Sequence, residues 1–264
     1  MYERLEITIK DHVAEVMLNR PEKKNALDTQ FFDELAAAGE ELQGNGDVRA
    51  VVLYGAGGCF CAGIDTSALM EFSANIDEIR KMLATPPEHG RGNRFQRPTV
   101  VWQELKMPVI AAVEGVAFGG GIQLALAADF RFMAPDAKMS IMEAKWGLVP
   151  DMGITQSLPQ LMRADQAKEL IMTGRVLGAQ EALSLGLATW LADDPLEKAR
   201  AMAAELAARS PEAIQGSKAL VDQVWSAGRE GLALEGELQS KIIGYPNQME
   251  TVMAQMQKRS PVYK

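Results

Sequence analysis

The chain has 264 residues, 47% of them apolar and 23% charged, with a net charge of −8. That length suffices to bury a sizeable core in one or two domains, and the composition is that of an ordinary soluble globular protein. The acidic balance argues against a nucleic-acid or acidic-membrane surface as main partner, although a local basic patch would still admit an anionic ligand.

The first residues, MYERLEITIK, lack the apolar core of a signal peptide, and no apolar run reaches the roughly 18 residues of a membrane span. Two alternating runs, LEITIK and VAEVMLNR, flank the turn-like Lys10-Asp11-His12 and predict a hairpin. RPEKKNALD is a polar loop whose Asp28 caps a helix over TQFFDELAAAGEELQGN. VRAVVLYG reads as a buried strand and GAGGCFCAGID as a small-residue turn region. Its cysteines, Cys59 and Cys61, are separated by one residue, too close for a good disulfide and without metal-ligand company. Reduced thiols that serve as small packing residues are the simpler reading, and they fit a cytoplasmic protein.

ATPPEHGRGNRFQRP (84–98) is the one long loop-like segment, and Arg91, Arg94 and Arg97 within it read as solvated. MPVIAAVEG is a second buried strand, leading into VAFGGG and a helical IQLALAADF; RFMAPDAKMSI holds a further pair of short strands. Beyond about Asp151 the pattern turns helical. Pro150 suits the first turn of a helix DMGITQSLPQLM, Ser210-Pro211-Glu212 starts another, and PLEKARAMAAELAAR, AIQGSKALVDQVW and PNQMETVMAQMQKR are amphipathic. The expected architecture is an α/β core over 1–195 followed by a helical region over 196–264, without internal repeats.

Two glycine turns, CAGID (61–65) and FGGGIQ (118–123), each follow a buried strand and present bare backbone N–H groups where negative charge is favoured. The phosphate motifs fail: the sixth position of G-x-G-x-x-G is Leu124, and no G-x-x-x-x-G-K-[ST] occurs. A serine elbow is missing, and neither His12 nor His89 has a nucleophile partner. Close helix–strand packing would account for the glycines equally well. The alternative is two amides converging on one oxyanion, which requires a partner that moves protons.

SIMEAKWGLVPDMGITQSL supplies Glu143 and Asp151 among apolar residues. Fully extended, they would lie roughly 26–29 Å apart, so only a reversal at Gly147 and Pro150 joins them. At a helix start the dipole favours carboxylate while apolar neighbours favour the acid, which can hold one group as base and another as acid. The plainer possibilities stay open: Asp151 a helix cap, Glu143 a solvated loop residue, Lys145 an ion-pair partner for either.

Taken in order, LNRPEKKNALD, FCAGID and MPVIAAVEGVAFGGGIQLALAADFRFMAPDAKMSIMEAKWGLVPDMGITQSLP resemble the crotonase superfamily, the enoyl-CoA hydratase/isomerase family, over nearly the whole chain. The resemblance implies a spiral of β-β-α turns, a C-terminal helical region that builds trimers or dimers of trimers, and an acyl-CoA substrate with no separate cofactor, metal or nucleic acid. It implies oxyanion donors at the N–H groups of Ile64 and Gly120, catalytic carboxylates at Glu143 and Asp151, and coenzyme A contacts from Lys24, Asn25, Ala26, Ala62, Gly63, Asp65 and Lys258. Lys23 and Arg259 are further candidates near the nucleotide. Asp65 also suits the cap of a helix TSALMEF, fixing the turn rather than touching substrate, and Met142 and Trp146 suit the core or the acyl pocket.

Where hydratases of the family place a second catalytic glutamate, this chain has Gln123, which cannot exchange a proton at neutral pH. Asp151 falls where dienoyl-CoA isomerases carry an aspartate, although such isomerases often have a third acid at the Gln123 position. Double-bond isomerisation is therefore expected ahead of hydration of a 2-enoyl-CoA, with a non-catalytic acyl-CoA binder as the third reading.

Overall fold

The computed structural model describes residues 2–86, 90–225, 231–259 and 261–262, the backbone only for 223–225, 231–235 and 238. His89 lies outside them. Strands β1 (Leu5–Lys10) and β2 (Val13–Leu18) form the expected hairpin, with Lys10 opposite Val13. Asp11 and His12 both take left-handed backbone, φ 50° and 67°, the geometry a two-residue hairpin turn demands. Helix α1 (Thr29–Gly44) begins where the Phe31 N–H donates to the Asp28 side chain.

Next come β3 (Ala50–Gly55), α2 (Thr66–Ala74), α3 (Ile76–Ala84), α4 (Arg97–Glu104), β4 (Val109–Val113), β5 (Val116–Phe118), α5 (Gly120–Leu126), β6 (Phe130–Met133) and β7 (Lys138–Ser140). The rest is α6 (Leu158–Leu161), α7 (Ala164–Thr173), β8 (Leu177–Gly178), α8 (Ala179–Ser184), β9 (Trp190–Leu191), α9 (Pro195–Ala207), α10 (Pro211–Trp225), α11 (Gly231–Ile242) and α12 (Pro246–Met256). One sheet runs β1-β2-β3-β4-β6-β9, parallel from β2 onward, and a small sheet runs β5-β7-β8. The two strands read from RFMAPDAKMSI do not pair with each other: β6 joins β4 and β7 joins β5. The pairs β4/β5, β6/β7 and β8/β9 each add one strand to each sheet, in the manner of the expected spiral.

The central strands are buried on both faces, as parallel strands must be. Their side chains alternate: Val51, Leu53, Val109, Ala111 and Val113 face the main core, and Ala50, Val52, Ile110 and Ala112 face α9. On α9 the matching stripe is Ala199, Ala203 and Ala207, one small residue every four, so the helix lies close on the sheet. Among the described residues no helix is long and apolar enough to cross a membrane.

Two expectations fail. Pro150 does not open a helix: Gly153 takes φ 86°, and the stretch resolves into a 3₁₀ turn at Ile154–Gln156 and the short α6, which has Pro159 near its start. Arg97 is not solvated. At 9% exposure it opens α4 and donates to Glu40 and Glu104, whose carboxylates offset its desolvation. Arg91 bonds Glu104 as well, and Arg94 bonds Asp33 at the surface.

Candidate active site

The first glycine turn is held from two sides. Cys61 bridges to Ala117 beside β5: its N–H donates to Val116 O, and Phe118 N–H donates to Cys61 O. On the other side Leu27 N–H donates to Gly63 O and Asp65 N–H to Leu27 O. That is a parallel bridge centred on Ile64, a pattern that uses the groups flanking Ile64 and leaves its own N–H turned away. The second turn presents the N–H of Gly120 at the first position of α5, where no intrahelical acceptor exists. Among the described residues, neither amide donates to a protein acceptor.

Glycine is required here by contact. A Cβ on Gly121 would stand 2.3 Å from Cys61 O, and one on Gly63, whose φ is +91°, would stand 2.6 Å from Phe118 O. The two turns are packed backbone to backbone, which is the close-packing reading of these glycines.

A cavity of about 350 Å³ opens over these turns. Gly63, Ile64, Gly120, Glu143 and Asp151 all line it, so both acidic residues and both candidate turns border the same space. The reversal that joins them is made by Gly147, φ 70°, with Leu148 N–H donating to Glu143 O. The C-terminal helices brace this bend: Gln239 of α11 accepts from Val149 N–H, and Gln255 of α12 donates to Lys145 O. Apolar side chains line the cavity too: Leu69, Leu83 and Ile243, with Phe72 and Phe95, whose rings meet edge to face at 5.4 Å.

Glu143 is 9% exposed. Its Oε1 accepts from Gln123 Nε2 at 2.6 Å, while Oε2 is buried without a partner among the described residues. Burial pushes its pKa up to about 7, against the smaller opposing effect of the hydrogen bonds it accepts from its own backbone N–H and from Gln123. Such a group takes and returns protons near neutrality. Asp65 is its opposite. It is 6% exposed, and burial alone would raise its pKa, but the Ser67 amide and hydroxyl and the Arg20 guanidinium at 2.6 Å hold it near about 2. It caps α2 as the sequence suggested, and it lines the cavity as well.

Of the other candidates, Ala26 and Ala62 line the cavity, as do Lys23, Met142 and Trp146, whereas Lys24, Asn25 and Lys258 do not. The Asn25 side chain is fully buried between its own loop and the turn after β3, accepting from Arg20 N–H and donating to Ala56 O and Cys59 O, a structural role. Arg259 pairs with Glu250. Cys59 and Cys61 are buried and free, and burial pushes the Cys61 thiol up to about 12, which leaves it unreactive.

Sequence reasoning missed Arg20, which donates to Ala26 O and Asp65 and lies 3.6 Å from Asp28, tying the polar loop, the first turn and α1 together. Only its place within LNRPEKKNALD could have pointed to it. It also missed Thr99, whose hydroxyl donates to Met152 O behind Asp151.

The profile of the enoyl-CoA hydratase/isomerase family matches residues 8–264, and the chain belongs to that family. Among curated relatives, a mitochondrial Δ3,5-Δ2,4-dienoyl-CoA isomerase of Rattus norvegicus is 36% identical over 82% of this chain and 68% of its own length. A Bacillus subtilis protein named for enoyl-CoA hydratase/isomerase is 33% identical over 97% of this chain and 96% of its own. A crystal structure of an enoyl-CoA hydratase/isomerase from Mycobacterium paratuberculosis superposes with TM-score 0.87 at 27% identity, covering 96% of this chain and 98% of that one.

Proposed function

We propose that this enzyme of the enoyl-CoA hydratase/isomerase family shifts the double bonds of a dienoyl-CoA, with Glu143 and Asp151 as its acid/base pair. The thioester oxygen sits between the amides of Ile64 and Gly120. One carboxylate breaks a C–H bond at C2 of a 3,5-dienoyl chain, the amides stabilise the resulting dienolate, and the other carboxylate delivers a proton at C6 to give the 2,4-isomer. Atoms balance without water or any group beyond the substrate. Removing one oxyanion donor typically costs about 10²–10³ in rate, so the amide pair carries a large share of the barrier lowering.

The observation that carries this reading is the buried Glu143 carboxylate with its unpartnered Oε2, lining one cavity with Asp151 and the two amides. Gln123 supports it against hydration by two glutamates, because an amide cannot exchange the second proton. The reading brings with it coenzyme A contacts from the loop around Lys24 and from Lys258, a homotrimer or dimer of trimers, and a cytoplasmic setting.

Purified protein given a 3,5-dienoyl-CoA should build up the ultraviolet band of the conjugated 2,4-diene, and Asp151→Asn should abolish that signal. A fully active Asp151→Asn variant would end the proposal. Loss of 2-enoyl-CoA absorbance that tolerates Asp151→Asn would identify a hydratase, and tight binding without deuterium uptake into the acyl chain would identify a binder.

A further inference from the structure

Gln123, on α5, is 2% exposed and makes two hydrogen bonds in opposite directions. Its Nε2 donates to Glu143 Oε1 at 2.6 Å, and its Oε1 accepts from the Met152 N–H at 2.9 Å. Chemistry fixes this orientation. Turned over, the amide would set its oxygen against a carboxylate and its NH₂ against an N–H, leaving four buried polar groups repelled or unsatisfied.

We propose that Gln123 is the positioning residue of the acid/base pair: one buried amide that aims the Glu143 carboxylate and pins the peptide unit following Asp151. The Thr99 hydroxyl holds the carbonyl of Met152, so the backbone just past Asp151 is anchored at both of its polar groups by buried side chains. Glu143 then has one oxygen held by Gln123 and the other, Oε2, buried without a partner among the described residues. An amide does this without adding charge. A carboxylate in the same place, 2.6 Å away, would have to share a proton with Glu143. The ionisable groups that share the cavity are Asp151, Asp65 and Lys23, and Lys145 stands on Glu143's own turn.

The inference rests on the acid/base reading above, and its test separates the two. In ligand-free protein labelled with ¹³C at glutamate Cδ, the Glu143 line is identified as the one lost in Glu143→Gln, and its midpoint is titrated. Gln123→Met keeps the volume and removes both bonds. It should raise the midpoint from about 7 by about one pH unit or more, and lower kcat on a 3,5-dienoyl-CoA at least tenfold with KM within twofold. Gln123→Glu, the better-folded control if methionine packs poorly, should make Glu143 titrate in two coupled steps shared with the introduced carboxyl.

A Glu143 midpoint unchanged in either folded variant would overturn the inference. Midpoints that move in a protein whose parent turns over no dienoyl-CoA would uphold Gln123 as the positioning group and sink the isomerase reading alone.

Discussion

Asp65 and Glu143 are the same functional group at nearly the same depth, 6% and 9% exposed, on the wall of one cavity. Their chemistry diverges because of what touches them. Around Asp65 the chain assembles a guanidinium, a hydroxyl and a backbone N–H, and the carboxylate is ionised for structural use. Around Glu143 it supplies only the Gln123 amide and the residue's own N–H, and leaves Oε2 without a partner among the described residues. Burial by itself predicts a raised pKa for both; the donors decide whether a buried acid becomes a fixed charge or stays a proton carrier.

The contrast can be broken most sharply at Glu143. Glu143→Gln should lower kcat on a dienoyl-CoA by about 10²–10⁴, the range for a positioned acid/base group; steady-state kinetics at pH 7 decides it. Asp65→Ala leaves Arg20 buried without its closest partner and α2 without a cap. It should cost about 3–5 kcal/mol of stability by denaturant unfolding, and retention of full stability would remove the structural role assigned to Asp65.

A third expectation concerns pH. The Glu143 pKa is raised from 4.5 to about 7 on folding, so its contribution to stability is present below 4.5 and lost as pH rises through 7. Glu143→Gln should therefore be more stable than the parent by up to about 3 kcal/mol at pH 8 and indistinguishable at pH 4. Asp65 carries the reverse sign: its folded pKa is lowered from 3.8 to about 2, and its contribution, present above 3.8, is lost only as pH falls through 2. The smallest effect belongs to Arg94→Ala. Its pair with Asp33 is exposed on both sides, and removal should change stability by less than about 1 kcal/mol.

What the sequence disclosed and what it hid follow the same division between local and distant causes. The hairpin at Asp11-His12, the Asp28 and Asp65 caps and the alternating β3 and β4 are set by neighbours a few residues away, and pattern reading finds them. The stretch after Pro150 has a fair local claim to be a helix. It is overruled by Gly153 and by the holds on Met152 from Gln123 and Thr99, which lie 29 and 53 residues earlier in the chain. Arg97 looked like loop charge because Glu40, one of its two carboxylate partners and 57 residues away, is invisible to a scan for motifs. Glu143 and Asp151 were legible as candidates from their apolar company. The reversal at Gly147 was legible too; the bracing of that bend by α11 and α12 was not, because Gln239 and Gln255 lie 90 and 110 residues from their partners. Arg20 fell outside any spacing rule because its three partners come together only in the folded chain.

The groups that face the thioester oxygen in this reading belong to peptide bonds, not side chains. Short of proline, no ordinary point substitution deletes the N–H of Ile64 or Gly120. A descendant of this chain would keep its grip on an activated acyl group through long drift, while single changes at Gln123, Glu143 or Asp151 redirect where protons go. In that reading versatility belongs to the scaffold: the donors persist for as long as Gly63 and Gly121 keep the turns packed, and three side chains set the reaction.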